Sequence, residues 1–264
     1  MTRRSREESK SRLYHIMVCG NNREAVFYAE KEKLRFLNEM KKLAEKFPVA
    51  VYAYCVMNDH VHLLLRSEKK MLEKYMHSLN TRYSCEYNCR HERQGHVFSG
   101  RYESQCIEKE QEFWNCIKYI HNHPKETGVV KEILKYPYSS IREYLGMRSS
   151  SNLLYSAAKK KMKSQFKTRY NFQAFHEETD LNLFLDVKEE KERKQIQATQ
   201  KLLDDFLKKN QLRQGEFCMS ARSRSIFAEE VHMRLDLSYR RIREIVSEIC
   251  EETLNKVDTK TRSE

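Results

Sequence analysis

The chain has 264 residues, 39% of them hydrophobic and 33% charged, with 50 Lys and Arg against 38 Asp and Glu for a formal net charge of +12. That length fits one large domain or two modest ones, and the positive excess suits a polyanionic partner, nucleic acid above all, without separating an enzyme from a binder. Six Gly and three Pro are too few for turn-dense all-β or collagen-like classes, and no apolar run reaches the ~18 residues of a membrane span.

The N-terminal stretch MTRRSREESKSR is charged and leads into no apolar segment, so a secretory signal is not expected and a cytoplasmic, nucleoid-associated location is. The eight cysteines are scattered, and reduced thiols are the expectation for a chain of this size. Tyr14 to Cys19 is β-rich and bounded by Gly20-Asn21-Asn22, a turn signal. Residues 29–46 repeat apolar positions at Leu34, Leu37, Met40 and Leu43, an amphipathic helix that Pro48 stops. Residues 49–57 and 60–66 are apolar runs joined by Asn58-Asp59, which predicts a hairpin. A long helix follows over 70–90, then a loop with Gly95 and Gly100 at its ends, a strand over 101–108 and a helix over 110–122 ended by Pro124 and Gly128.

This order predicts an α+β fold: a ferredoxin-like βαββαβ core with an antiparallel sheet, one added helix, and a helical C-terminal region. The expected divisions are a domain over 12–146, a helical linker region over 147–209, and a helix-turn-helix over 210–255.

In the second strand of the hairpin, His60 and His62 stand two residues apart and so share a face, while Val61 and Leu63 point the other way. Two imidazoles on one face can bind a divalent metal, and they can equally be packed core histidines. In Lys118-Tyr119-Ile120-His121-Asn122-His123-Pro124, Tyr119 and His123 are four apart on one helical face. Tyr119 alone reads as packing. Taken together, His60, His62 and His123 could hold a metal that polarises a phosphate, with Tyr119 as the nucleophile that captures it.

At this point the chain resembles the single-tyrosine HUH transposases of the insertion-sequence type, in the REP-associated tyrosine transposase branch. The resemblance rests on Met57-Asn58-Asp59-His60-Val61-His62, on Gly95-His96-Val97-Phe98-Ser99-Gly100-Arg101-Tyr102, on Tyr119-Ile120-His121-Asn122-His123-Pro124, and on Pro137-Tyr138-Ser139-Ser140, in that order along the chain. It implies a nuclease core that cleaves and rejoins single-stranded or hairpin DNA with Mg²⁺ or Mn²⁺, leaving a 5′-phosphotyrosine and a free 3′-OH. It makes Tyr119 the nucleophile, His60 and His62 metal ligands, His123 the third ligand where the branch usually has an amide, and Arg101 a DNA contact. A homodimer is a further partner it implies.

In the C-terminal segment, Ile226, Phe227, Val231, Ile242, Ile245 and Val246 are the expected small core, and Ser238 the cap of the second helix. Arg240, Arg241 and Arg243 on that helix are candidate DNA contacts. A domesticated DNA-binding protein that recognises repeat hairpins with little cleavage is the alternative to an enzyme. The intact His60, His62 and Tyr119 favour the enzyme.

Overall fold

The computed structural model describes residues 6–147, 149, 151–178, 184, 186 and 188–261. The chain divides into two compact units, Met1–Asp180 and Leu181–Glu264.

The first unit opens with β1 (Leu13–Cys19), α1 (Glu30–Ala44), β2 (Ala50–Val56), β3 (His60–Arg66), α2 (Lys69–Arg90), β4 (Glu103–Ile107) and α3 (Glu110–Glu126). The strands form one sheet in the order β2-β3-β1-β4, and every pairing is antiparallel. This is the βαββαβ arrangement expected, with α3 as the added helix. β3 is interior to the sheet and buried along its length except at Arg66, as its apolar residues Val61 and Leu63 to Leu65 suit. α1 and α2, the two helices that connect the strands, pack against each other, and the hydroxyl of Tyr75 in α2 donates to the carbonyl of Met40 in α1 at 3.1 Å.

The turn that launches β3 is built by its neighbours. Met57 N–H donates to the His60 carbonyl at 2.8 Å and closes the hairpin. The Lys33 ammonium, buried, donates to the Phe27 carbonyl at 2.6 Å and to Asn58 Oδ1 at 2.8 Å. Burial lowers the pKa of Lys33, and the carbonyls around it offset the cost of its charge. Gly20 N–H donates to the Asp59 carbonyl at 2.7 Å. A Cβ at Gly20 would stand 2.3 Å from the Glu24 carbonyl oxygen, so only glycine allows this approach.

α3 begins where the Glu112 carboxylate accepts the backbone N–H groups of Glu108 and Lys109 at 3.0 and 3.2 Å. The helix then runs through Pro124 to Glu126, past the stop expected at residue 122. Proline's φ is helical and its position is near the C-terminal end, so its missing N–H costs one hydrogen bond and leaves little helix beyond it to break. Thr127 and Gly128 close the helix, with N–H bonds to His123 and Lys125.

α4 (Ile141–Tyr144), α5 (Ser156–Phe166) and α6 (Arg169–Glu177) complete the first unit. α6 is capped by Thr168, whose hydroxyl accepts from Asn171 N–H at 3.1 Å. The buried carboxylate of Glu143 organises the chain after α4. It accepts from the Tyr54 hydroxyl at 2.6 Å, the Ser149 and Ser151 hydroxyls at 3.0 and 2.9 Å, and Leu153 and Leu154 N–H at 3.1 and 2.9 Å. The stretch expected as a linker, residues 147–209, is thus divided: α5 and α6 lie in the first unit, and α7 lies in the second.

The second unit is helical: α7 (Lys188–Asn210), α8 (Gln214–Met219), α9 (Ala221–Leu235) and α10 (Tyr239–Thr261). Its core joins Leu202, Leu203 and Phe206 of α7 to Phe217, Phe227, Val231, Ile242 and Ile245. Ile226, expected in that core, is 50% exposed. The α9 face that meets α7 and α8 is centred on Phe227, which packs on Phe206 and Phe217, and Ile226 is rotated about 100° away from it. Asp236 ends α9 in the left-handed region at φ 51°, and Ser238 Oγ accepts from Arg241 N–H at 3.3 Å at the start of α10.

Candidate active site

The sheet presents His60 and His62 on one face of β3, and α3 brings Tyr119 and His123 to them. The donor nitrogens of His60, His62 and His123 lie within 4.8 Å of one another. Nε2 of His60 is 2.8 Å from Nε2 of His123. The ring of His62 centres 4.6 Å from that of His123 and 5.0 Å from that of His60. All three side chains are buried. Two imidazole nitrogens as close as those of His60 and His123 share either one proton or one cation.

The remote nitrogens are also set. Nδ1 of His60 is 2.7 Å from the Asp59 carboxylate, so its Nδ1–H donates there and Nε2 turns its lone pair to the cluster. Burial alone would raise the pKa of Asp59, yet the hydrogen bond with His60 holds it below the usual aspartate value. Nδ1 of His62 is 3.1 Å from Nε2 of His15 on β1. Register places Met17 opposite His62 and Leu64 opposite His15, so the two imidazoles are diagonal neighbours on one face. A carboxylate behind an imidazole is a support that metal-ligating histidines carry, and His15 takes the corresponding place behind His62. Three nitrogen donors fit Mn²⁺ and later first-row cations better than Mg²⁺, which prefers oxygen.

Tyr119 is 7% exposed. Its ring centres 5.4 Å from His62, 5.6 Å from His123 and 5.6 Å from His15. The continuation of α3 through Pro124 is what keeps Tyr119 and His123 on one helical face.

Neither His15 nor Asp59 was singled out in the sequence for a role. Strand alternation carried a signal for His15, which shares the period of Met17 and Cys19, but its meeting with His62 depends on cross-strand register. His121, between Tyr119 and His123, points away into a separate chain of hydrogen bonds. His176 Nδ1 is 2.7 Å from the Phe172 carbonyl, His176 Nε2 is 2.8 Å from His121 Nδ1, and His121 Nε2 is 2.8 Å from Ser140 Oγ, which accepts from Tyr54 N–H at 3.0 Å. Donors and acceptors alternate along this chain only if both imidazoles are neutral. Burial pushes His121 well below the ordinary histidine pKa and His176 down to about 4.

The four arginines lie apart from this cluster in the sequence and differ in their surroundings. Arg101 is exposed in the loop before β4. Arg240 has a 91% exposed side chain that meets Glu244 at 3.1 Å. Arg241 is tied to Gln195 at 3.0 Å and Glu244 at 3.3 Å, and Arg243 is exposed. Among the described residues, no helix is long and apolar enough to cross a membrane.

Comparison with known proteins gives consistent relatives. Residues 8–123 match the family model described as IS200-like transposase. A protein of Haemophilus influenzae named as a candidate REP-associated tyrosine transposase is 23% identical over 151 residues, which span 53% of this chain and 85% of that one. Among solved structures, a REP-associated tyrosine transposase bound to a REP hairpin is similar at a TM-score of 0.48 and 17% identity, over 57% of this chain and 90% of that one. A candidate transposase from Deinococcus radiodurans is similar at a TM-score of 0.32 and 18% identity, over 46% of this chain and 95% of that one. Residues 8–123, which carry the sheet, Tyr119 and the three histidines, are the part of the chain that matches the IS200-like transposase family model.

Proposed function

We propose that the first unit is a metal-dependent endonuclease and strand transferase that cleaves and rejoins single-stranded or hairpin DNA through a 5′-phosphotyrosine on Tyr119. The observation that carries this reading is the packing of the Tyr119 ring against His62 and His123, at 5.4 and 5.6 Å. The match of residues 8–123 to a transposase family model and the net charge of +12 support DNA as the partner. DNA as substrate places the protein in the cytoplasm with the chromosome.

His60, His62 and His123 would hold Mg²⁺ or Mn²⁺, which when bound supplies Lewis-acid polarisation of the scissile phosphate. The Tyr119 oxygen forms a bond to phosphorus as its proton leaves. The bond from phosphorus to the 3′ oxygen of the upstream strand breaks, and that oxygen takes up a proton as a 3′-OH. The phosphodiester energy stays in the tyrosyl ester, so a later 3′-OH can attack it, re-form a diester and free the tyrosine without ATP. Burial of Tyr119 keeps water from competing for that ester. Arg101 in the first unit, and Arg240, Arg241 and Arg243 at the start of α10, are the proposed phosphate contacts, with α9 and α10 as a helix-turn-helix.

End-labelled oligonucleotides test the reading. With a 3′-label the label should migrate with the protein on a denaturing gel, and with a 5′-label it should be released on a fragment ending in a 3′-OH. Single strands and hairpins should react and perfect duplex should not, because pairing hides the phosphate geometry at the cut. Label transfer from the 5′ end, or equal reaction of perfect duplex, would contradict the proposal.

A further inference from the structure

A cleft of about 690 Å³ lies between α2 and the 95–102 loop, within the ~300–1,000 Å³ range of small-ligand sites. None of the three histidines or Tyr119 lines it. Its wall on the helix side is a polar stripe at helical spacing, including Asn80, Ser84 and Asn88. Its wall on the loop side carries Phe98 and Tyr102, both buried aromatics.

The polar groups of this cleft are incompletely satisfied. Asn80 Oδ1, Asn88 Oδ1 and the Tyr102 hydroxyl are buried atoms with no hydrogen-bond partner. Tyr102 is only 7% exposed, so an unmet hydroxyl there is destabilising until a ligand group meets it. Burial raises the Tyr102 pKa, which keeps that hydroxyl a donor. The Arg6 guanidinium stacks on the Tyr102 ring at 3.7 Å and donates to the Tyr102 carbonyl at 2.8 Å, making a planar cationic surface. Arg101 stands exposed at the rim.

Carboxamides that offer both donor and acceptor, aromatic and guanidinium planes, and flanking positive charge are together the chemistry that binds an unpaired base and its phosphate. The loop is built to hold this shape. Asn88 Nδ2 donates to the Gly95 carbonyl at 2.9 Å, and the bonds from Asn21 N–H to the Val97 carbonyl at 2.8 Å and from Ser99 N–H to the Cys19 carbonyl at 3.0 Å tie the loop to the end of β1. Cys19 pairs directly with His60, so a strand gripped in the cleft is anchored beside the strand end where β3 begins.

We propose that this cleft is a base-reading subsite that takes one unpaired nucleotide of the DNA strand, with the Asn80 carboxamide and the Tyr102 hydroxyl reading the base edge. The proposal rests on the reading of the protein as a single-strand DNA enzyme and adds to it a site for specificity apart from the reaction centre.

Cys85 lines the cleft and is exposed, which gives a direct probe. The full chain is treated with a maleimide, and alkylation of Cys85 is followed by peptide mass spectrometry, with Cys89, exposed but outside the cleft lining, as the internal reference. Six-nucleotide single strands of thymidine, deoxyadenosine or deoxycytidine are added in turn, then a six-nucleotide abasic strand, then free deoxymononucleotides. One of the base-bearing strands should slow Cys85 alkylation about tenfold relative to Cys89, and the abasic strand should not. Tyr102→Phe and Asn80→Ala should each weaken that strand about tenfold, the loss of one base-edge contact. Equal protection by the abasic strand, no protection by any strand, or unchanged affinity in both variants would overturn the proposal. Protection by free mononucleotides as strong as by the strands would overturn its assignment to DNA. Adduct formation on Tyr119 is measured alongside: adducts without Cys85 protection defeat the cleft alone, and base-dependent protection without adducts defeats the proposed strand transfer alone.

Discussion

His15 on β1 stands behind His62 on β3, its Nε2 3.1 Å from the Nδ1 of His62. The contact orients the His62 imidazole from the side away from His60 and His123, as Asp59 does for His60. Both supports act on the direction and basicity of a donor nitrogen rather than on the metal itself.

Replacing that support should therefore cost metal affinity more than fold. His15→Ala should weaken Mn²⁺ binding by about 10–100-fold, measured by calorimetric titration, with a loss of nicking that excess Mn²⁺ restores in part. Unchanged binding would show that the two imidazoles are neighbours without a functional link.

The metal preference should follow His123. With nitrogen at all three positions, wild-type protein should nick faster with Mn²⁺ than with Mg²⁺, and His123→Asn should move the preference toward Mg²⁺ by supplying an oxygen donor. His123→Ala should lose metal affinity. Nicking rate against the concentration of each ion, for the three proteins, is the measurement. Three identical sets of curves would remove His123 from the ligand set.

The buried His121–His176 pair should make the first unit acid-sensitive. His176 titrates at about 4 in the folded chain because burial disfavours its cation, against about 6.5 in the unfolded chain. Between those values the unfolded chain binds a proton that the folded chain does not. Stability is therefore full above about pH 6.5 and falls as pH drops, by about 2 kcal/mol at pH 5 from His176 alone. His121 shifts in the same direction and adds to the slope. Urea unfolding at pH 7.5 and pH 5 checks this, and His176→Gln should flatten the dependence.

In the second unit the arginines should not contribute equally. Arg243 is exposed and Arg240, though it meets Glu244, has a 91% exposed side chain, whereas Arg241 is half-buried and held by both Gln195 and Glu244. Arg240→Ala and Arg243→Ala should each lower the slope of log affinity against log salt by about 0.7–0.9 for DNA. Arg241→Ala should change the slope less and destabilise the contact between α7 and α10. Equal slopes in all variants would assign these residues to a role other than phosphate binding.

The sheet and its helices were legible because their signals are local. β-rich and apolar runs mark β1 to β3, the Asn58-Asp59 turn marks the hairpin, and the 3.6-residue period marks α1, each within one or two residues of the structure. Proline as a stop signal misplaced the end of α3, since position within a helix decides what a proline costs. Ile226 and Phe227 are adjacent and equally apolar, and only the packing of α7, invisible from the α9 sequence, selects Phe227 for the core. The His60, His62, Tyr119 and His123 grouping was accessible from two short motifs. His15 was not, because its partner is set by register, and His176 was not, because 55 residues separate it from His121.

The central claim is that the Tyr119 oxygen is the atom that takes the DNA phosphate. Tyr119→Phe keeps the ring that packs on His15, His62 and His123 and removes that oxygen alone. The most direct measurement is the yield of covalent protein–DNA adduct from a 3′-labelled single strand with Mn²⁺, for wild type and Tyr119→Phe at matched DNA occupancy. The account predicts a labelled adduct with wild type and none with Tyr119→Phe while DNA binding stays within about twofold. Normal adduct yield from Tyr119→Phe would contradict it.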